Sequence, residues 1–126
     1  MSSPKGAKAK GRNLQNLVRD RLRVAFPSLE EDDVKSQTMG MPGEDIVFSP
    51  AARRKIPYSF ECKNVERLQF WSAVEQAESN LKKGATPAVV VKKNIKKPYV
   101  EIPLESFIRL ISEGGNEEQA NRIKEK

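Results

Sequence analysis

The stretch Ser59-Phe60-Glu61-Cys62-Lys63 has the alternation of a β-strand. Because successive side chains of a strand point to opposite faces, Glu61 and Lys63 share one face, while Phe60 and Cys62 share the other. The second face is apolar enough to lie against a hydrophobic core. The pattern therefore predicts a core strand that presents a carboxylate and an ammonium together on its other face.

A second carboxylate precedes this strand in the acidic pair Glu44-Asp45, at the start of another predicted strand. Asp45 and Glu61 are the candidate ligands of a divalent cation, with the backbone carbonyl of Cys62 as a further ligand between Glu61 and Lys63. Glu44 is the rival of Asp45, since only one of two adjacent strand residues points inward. Lys63 would orient or deprotonate a water and offset charge on a phosphate, so the set indicates phosphodiester hydrolysis.

The chain contains one cysteine and no histidine. This composition excludes His- or Cys-based zinc sites, histidine-based triads and an intramolecular disulfide. A cation must therefore have oxygen ligands, which suit Mg²⁺, with Mn²⁺ able to replace it. A lone cysteine fits a reducing compartment, and we expect a cytoplasmic protein.

The 126 residues carry a net charge of +6, with 37% hydrophobic and 32% charged residues. This length fits one domain, and no apolar run is long enough to span a bilayer or to form a secretory signal. A basic balance fits a polyanionic partner, most commonly nucleic acid, as well as a merely solvated surface. The candidate DNA contacts are Lys10, Arg12, Arg19, Arg53, Arg54, Lys55, Arg67, Lys92, Lys93, Lys96 and Lys97.

Apolar spacing and turn residues predict an α/β protein in the order αβββαββα, with helices on a mixed central sheet. Residues 1–9 are expected to be a disordered basic arm, 10–112 a single domain, and 113–126 a polar tail or frayed helix. The basic segment 51–57 is predicted to be the turn of a hairpin. The predicted helices are 10–26, 67–83 and 104–111, and the predicted strands are 34–38, 45–48, 58–63, 87–92 and 99–102.

The second predicted helix contributes polar and aromatic candidates. Gln76 lies at the border of its apolar stripe, where the amide could reach the Glu61–Lys63 face. Phe70 and Trp71 begin this helix, and a core or dimer-packing role is favoured for them over stacking on bases.

These segments resemble the PD-(D/E)XK nuclease superfamily, and within it the Holliday junction resolvase type and similar small phage-encoded nucleases. The residues that carry the resemblance are Gly43-Glu44-Asp45-Ile46, Phe60-Glu61-Cys62-Lys63-Asn64 and Glu75-Gln76-Ala77-Glu78, with Lys10-Gly11-Arg12 leading into the first helix. It implies a restriction-endonuclease-like core, magnesium dependence and DNA as substrate. It also implies that Asp45 and Glu61 bind metal, that Lys63 is catalytic and that Gln76 supports them.

The resemblance also implies roles for further residues. Ser36 or Thr38 matches a hydroxyl near the cleaved phosphate. Gln15 occupies the position where junction-resolving relatives carry a metal-binding glutamate, and Glu44 replaces the usual proline before the motif aspartate. An amide binds cations more weakly than a carboxylate, so we expect one metal to bind well and a second poorly.

The sequence thus predicts a magnesium-dependent DNA endonuclease that selects branched DNA in recombination or replication. Two alternatives stay open: a sequence-specific homing or mismatch-type endonuclease on the same fold, and a basic DNA-binding module without catalysis. Because one active site cuts one strand, cleavage of two strands favours a homodimer.

Overall fold

A computed structural model describes the backbone of residues 4–125 and the side chains of residues 5–114. The protein is a mixed α/β structure with two small sheets flanked by helices. In chain order the elements are α1 (Pro4–Ala25), a short 3₁₀ helix (Glu31–Asp33), β1 (Val34–Ser36), β2 (Ile46–Phe48), α2 (Pro50–Lys55), β3 (Tyr58–Asn64), α3 (Phe70–Ser79), β4 (Thr86–Lys92), β5 (Tyr99–Glu101) and α4 (Leu104–Glu125).

The larger sheet has the strand order β3-β4-β5, with β3 parallel and β5 antiparallel to β4. Its register places Glu61 beside Val89 and Lys63 beside Val91. The apolar run of β4 occupies the centre of this sheet, as expected for a strand that is buried on both faces. β1 and β2 form a separate antiparallel hairpin.

Helices α1 and α3 pack against opposite faces of β3 and β4. On the α1 side, Leu14 lies in a buried cluster with Cys62 and Val90. On the α3 side, Ala73 and Ala77 pack against Val89. The predicted core face of β3 is confirmed by the first cluster. Since side chains alternate along a strand, Glu61 and Lys63 lie on the α3 side.

The β1–β2 hairpin and α2 bury their own apolar cluster, formed by Val34, Ile46, Ala52 and Ile56. Side chains of α1 pack against this cluster too, so the helix joins the hairpin to the larger sheet. A backbone hydrogen bond of 2.8 Å from the Asp45 amide to the Phe60 carbonyl holds the start of β2 beside β3. This bond brings the two predicted acidic segments together.

The predicted hairpin across residues 51–57 is wrong, because α2 replaces the basic turn. Ser49 caps this helix, its hydroxyl accepting a 3.1 Å bond from the Ala52 amide, and Pro50 occupies the first turn. The prediction of a single central sheet also differs from the structure, which has a two-stranded and a three-stranded sheet. The mixed α/β class itself is confirmed.

Both termini of the described chain are more helical than predicted. Residues 4–9 of the expected basic arm belong to α1, whose alanines and lysines are strong helix formers, while residues 1–3 lie outside the described residues. The segment from 113 continues α4 as far as Glu125, and residue 126 lies outside the description. Within residues 4–125, no helix combines the length and the apolar character needed to cross a membrane.

Candidate active site

Asp45 reaches from the start of β2 to the backbone of β3. Its Oδ2 accepts a 2.6 Å hydrogen bond from the Cys62 amide. In the same place the Asp45 amide donates to the Phe60 carbonyl. These two contacts fix the Asp45 carboxylate beside the residues that flank Glu61.

Glu61 is buried on the α3 side of β3, with only 3% of the residue exposed. Its Oε1 lies 3.6 Å from Lys63 Nζ, and its Oε2 lies 3.4 Å from Asn80 Nδ2. Both distances are long for a carboxylate, whose charge-assisted hydrogen bonds are about 2.7–2.9 Å. This buried charge is therefore only partly compensated by the protein.

Lys63 connects the carboxylates to helix α3. Its ammonium donates a 2.6 Å hydrogen bond to Gln76 Oε1, and its side chain is 28% exposed. The predicted approach of the Gln76 amide is thus observed. Lys63 also lines two open clefts of about 350 and 200 Å³, so its head group faces space that a ligand could enter.

The two carboxylates also interact electrostatically. Burial raises the pKa of Asp45 above its ordinary value, although the Cys62 amide and the Lys63 charge act in the opposite direction. Burial likewise raises the pKa of Glu61, and the negative charge of Asp45 raises it further. Two acids that repel each other in a partly buried site form a place where a cation is stabilised.

Cys62 contributes its backbone to the site and its side chain to the core. Burial is the main cause that raises the pKa of its thiol, with the charges of Asp45 and Glu61 adding to it. The Cys62 amide points to Asp45, and an extended residue directs its N–H and C=O to the same side. Its carbonyl therefore lies on the Asp45 side, where the sequence predicts a ligand.

This donor set fits Mg²⁺. Among the described residues, no group of three or more His, Cys, Asp or Glu side chains is arranged to hold a metal. Mg²⁺ usually binds to one or two carboxylates and keeps several waters, so Asp45, Glu61 and a backbone carbonyl are sufficient ligands. The incomplete pairing of Glu61 and the pKa shifts of both acids agree with such an ion.

Glu44 has a different role from Asp45. It is buried and forms a salt bridge with Arg53, and Ser59 donates a 2.8 Å hydrogen bond to its Oε2. The Arg53 guanidinium also donates to the Tyr58 carbonyl. Glu44 is therefore an internal ion-pair residue, and Arg53, predicted as a DNA contact, is engaged within the protein.

Three residues that the resemblance singles out have distinct surroundings. Gln15 is buried, and its Oε1 has no hydrogen-bond partner within the described chain. It lies between Leu14, which packs with Cys62, and Asn16, which accepts a 2.8 Å hydrogen bond from the Ser36 hydroxyl. Thr38 is exposed in the loop after β1, and its hydrogen bonds among the described residues are with Gln37 and Met41, not with the carboxylates.

The remaining predicted DNA contacts are distributed over several surfaces. Arg19 is paired with Asp20 and also donates to Asn16, whereas the Lys10 backbone carbonyl accepts from Asn64. Arg67 is exposed and lines the smaller cleft beside Lys63. Exposed basic side chains are also present on α1, at Arg12, and on α2, at Arg54 and Lys55.

Sequence reasoning missed Asn80 and misjudged an aromatic pair. Asn80 follows α3 by one residue and lies four residues after Gln76, a spacing that places both on one helix face. That spacing was a usable signal. Trp71 is 72% exposed and packs edge-on against Phe70, with ring centroids 4.9 Å apart. It therefore lies outside the core, and the predicted alternative of dimer packing stays a prediction.

Comparisons with protein-family models, with curated protein sequences and with solved structures returned no match.

Proposed function

We propose that the protein is a magnesium-dependent DNA endonuclease that hydrolyses phosphodiester bonds. The observation that carries the proposal is that two acids with raised pKa, Asp45 and Glu61, lie beside the Lys63 ammonium, which itself lines two open clefts. The resemblance to PD-(D/E)XK nucleases, with a restriction-endonuclease-like core, rests on the same residues.

Bound Mg²⁺ would supply a Lewis acid that polarises the phosphate and makes a water nucleophilic at neutral pH. Asp45 and Glu61 would hold the ion with their carboxylates, assisted by the Cys62 carbonyl. The Cys62 amide fixes the Asp45 carboxylate, and burial removes Glu61, and in part Asp45, from bulk water. The Gln15 amide is a candidate for one more oxygen ligand.

Lys63 would act on the water and on the phosphate. Gln76 accepts a 2.6 Å hydrogen bond from the Lys63 ammonium. This bond holds the head group near the Glu61 carboxylate. In hydrolysis, the attacking water loses a proton as its oxygen bonds to phosphorus, one ester P–O bond breaks, and the leaving oxygen takes up a proton. A fixed positive charge offsets the charge that accumulates on the phosphate during this exchange.

The substrate that we propose is DNA, with a preference for branched structures. A net charge of +6 and exposed basic side chains favour phosphate contacts. Two coordinated cuts would need a homodimer, which is part of the proposal. The single cysteine fits a reducing compartment such as the cytoplasm of a bacterial or phage-infected cell.

The test is a cleavage assay with Mg²⁺ on four-way junctions, flaps, linear duplex and single strands. We expect cuts on branched substrates in Mg²⁺ or Mn²⁺ and none in EDTA. Asp45→Asn, Glu61→Gln and Lys63→Ala should each reduce the cleavage rate by about 10²-fold or more, as removal of a catalytic acid or base does. DNA binding in EDTA should be retained.

Asp32→Asn and Glu75→Gln are the matched controls, because these acids are exposed and lie outside the cluster. They should cut at the parental rate. If the three site variants cut as fast as the controls, the assignment of the site is wrong. DNA binding without any metal-dependent product would instead identify a non-catalytic module.

A further inference from the structure

An open cleft of about 350 Å³ adjoins the candidate active site. It begins at Lys63 and extends along the end of β4 to the β4–β5 turn. Its volume lies in the range of small-molecule sites, roughly 300–1,000 Å³. Because Lys63 lines both this cleft and the one that contains Gln76, a ligand here would continue directly into the proposed site of cleavage.

The cleft is lined by a group of apolar side chains and a group of lysines, which are called here its floor and its rim. Val65, Leu68, Val91 and Tyr99 contribute the apolar surface. The rim consists of Lys92, Lys93, Lys96 and Lys97. An apolar floor suits a nucleobase and an ammonium rim suits phosphate, so the cleft offers complementary chemistry to both parts of a nucleotide.

Tyr99 is the side chain on which a base would stack. It is 60% exposed on β5, so much of its ring is accessible to a ligand. The Lys97 ammonium lies 5.6 Å from the ring centroid. Exposed cation–π contacts are weak, so a base could replace the ammonium, which would then be free to contact the neighbouring phosphate.

The turn that carries these lysines is held in a strained conformation. Ile95 at its tip has φ 71° and is fully exposed, although a β-branched residue strongly disfavours the left-handed region. Glu66, which also lines the cleft, accepts a 2.7 Å hydrogen bond from the Asn94 amide. Strain of this kind persists where the surroundings hold it, and it is concentrated at functional sites.

We propose that this cleft binds one unpaired nucleotide of the DNA strand next to the cleaved phosphate, with its base against Tyr99 and its phosphates on the rim lysines. The enzyme would thereby select DNA that is single-stranded beside the cut. This inference rests on the proposed function, because it takes Lys63 as the catalytic end of the cleft.

The test measures binding in EDTA, where a magnesium-dependent enzyme cannot cut. The probes are a blunt duplex, the same duplex with a three-nucleotide flap, the flap made abasic, and free dAMP. We expect the base-bearing flap to bind most tightly. Tyr99→Ala should weaken its binding by about five- to a hundredfold, as loss of one stacked base does, and Tyr99→Phe should restore it.

Two further comparisons complete the design. The abasic flap should be insensitive to Tyr99→Ala, since the base that the ring contacts is missing. Lys96→Ala should weaken all flap probes and reduce the salt dependence, whereas Lys82→Ala, at an exposed lysine that lines neither cleft, should not.

The outcomes separate the two proposals. Equal binding of the base-bearing and abasic flaps would overturn the nucleotide site. Free dAMP bound as tightly as the flap would overturn the proposed selection of a DNA strand. A preserved preference for the base-bearing flap together with no cleavage in Mg²⁺ would overturn the nuclease and leave the binding site standing. Circular dichroism of Tyr99→Ala checks its fold, and Lys96→Ala gives an independent result if that fold is lost.

Discussion

At the residue scale, the candidate site depends on how one carboxylate is held. Asp45 binds the Cys62 amide at 2.6 Å, whereas Glu44, the next residue along the chain, turns to Arg53 and Ser59. The period of two residues in an extended chain separates them. Asp45 is therefore available to the candidate site, because the neighbouring Glu44 is paired inside the protein.

The raised pKa values lead to a prediction about stability and pH. Since the folded pKa of Glu61 exceeds the ordinary 4.5, the folded protein binds more protons than the unfolded chain above that pH. The resulting stability is complete below the ordinary value and is lost as pH rises through the folded pKa. In EDTA, Glu61→Gln should therefore gain thermal stability relative to the parent as pH rises towards neutrality.

The measurement is thermal unfolding at about pH 3.5 and about pH 7, on either side of the expected titration. Mg²⁺ should reduce the difference at neutral pH, because it stabilises only the parent. Glu75→Gln, at an exposed acid, should follow the parent at both pH values. If the melting temperatures of Glu61→Gln and of the parent change equally with pH, Glu61 is not a buried charged group in the folded protein.

Much of the site could be predicted at this scale. Alternation along β3 placed Glu61 and Lys63 on one face, and helical position brought Gln76 towards them. The choice of Asp45 over Glu44 stayed open, because it depends on Arg53 and Ser59, which are distant in the chain. Local periodicity contains no information on such long-range partners.

At the scale of elements, α2 determines how the hairpin is attached to β3. Arg53 of α2 forms a salt bridge with Glu44, donates to the Tyr58 carbonyl and lies 4.8 Å from the centroid of the Phe48 ring. One guanidinium thus connects α2, β2, β3 and the loop that delivers Asp45. The arginine orders the site without belonging to it.

This arrangement predicts a large loss of stability when one partner is removed. Arg53→Met leaves the 4%-exposed Glu44 carboxylate without its cation, which should cost about 3–5 kcal/mol. The measurement is urea unfolding. Arg54→Met, at the exposed neighbour, is the matched control and should change the free energy of unfolding by less than about 0.5 kcal/mol.

A double variant, Glu44→Gln with Arg53→Met, distinguishes a pair from two independent contacts. The double variant should lose less stability than the sum of the single variants, because neither charge is then stranded. Strict additivity would mean that the salt bridge contributes nothing specific.

The sequence contains a helix-start signal for α2, but the basic residues that follow it led to the prediction of a turn. Ser49 followed by Pro50 and two alanines is the start of a helix, with a capping hydroxyl and proline in the first turn. The division into two sheets had no comparable signal. It depends on the three-residue lengths of β1 and β2 and on a loop in which the Asp45 amide still reaches Phe60.

At the scale of the whole molecule, a net charge of +6 is combined with an acidic site. Phosphate contacts release counterions, so log K for DNA should fall linearly with log salt, by about 0.9 per contact on duplex DNA. The basic side chains that surround the site should determine this slope.

Arg67 allows this prediction to be tested. It is exposed and lines the cleft beside Lys63 and Gln76. Arg67→Ala should lower the salt slope by about 0.9, while Lys83→Ala, at an exposed lysine that lines neither cleft, should not change it. Fluorescence anisotropy with a labelled duplex at several salt concentrations measures both. An unchanged slope for Arg67→Ala would place this arginine outside the DNA contact surface.

The central claim is that Asp45 and Glu61 jointly hold one divalent cation. Anomalous diffraction from crystals soaked in Mn²⁺ tests it most directly. One anomalous peak should lie at about 2.1 Å from a carboxylate oxygen of each residue, the distance typical of small oxygen-bound cations. The peak should disappear in Glu61→Gln. A peak at another position, or none beside Asp45 and Glu61 at saturating Mn²⁺, would contradict the claim.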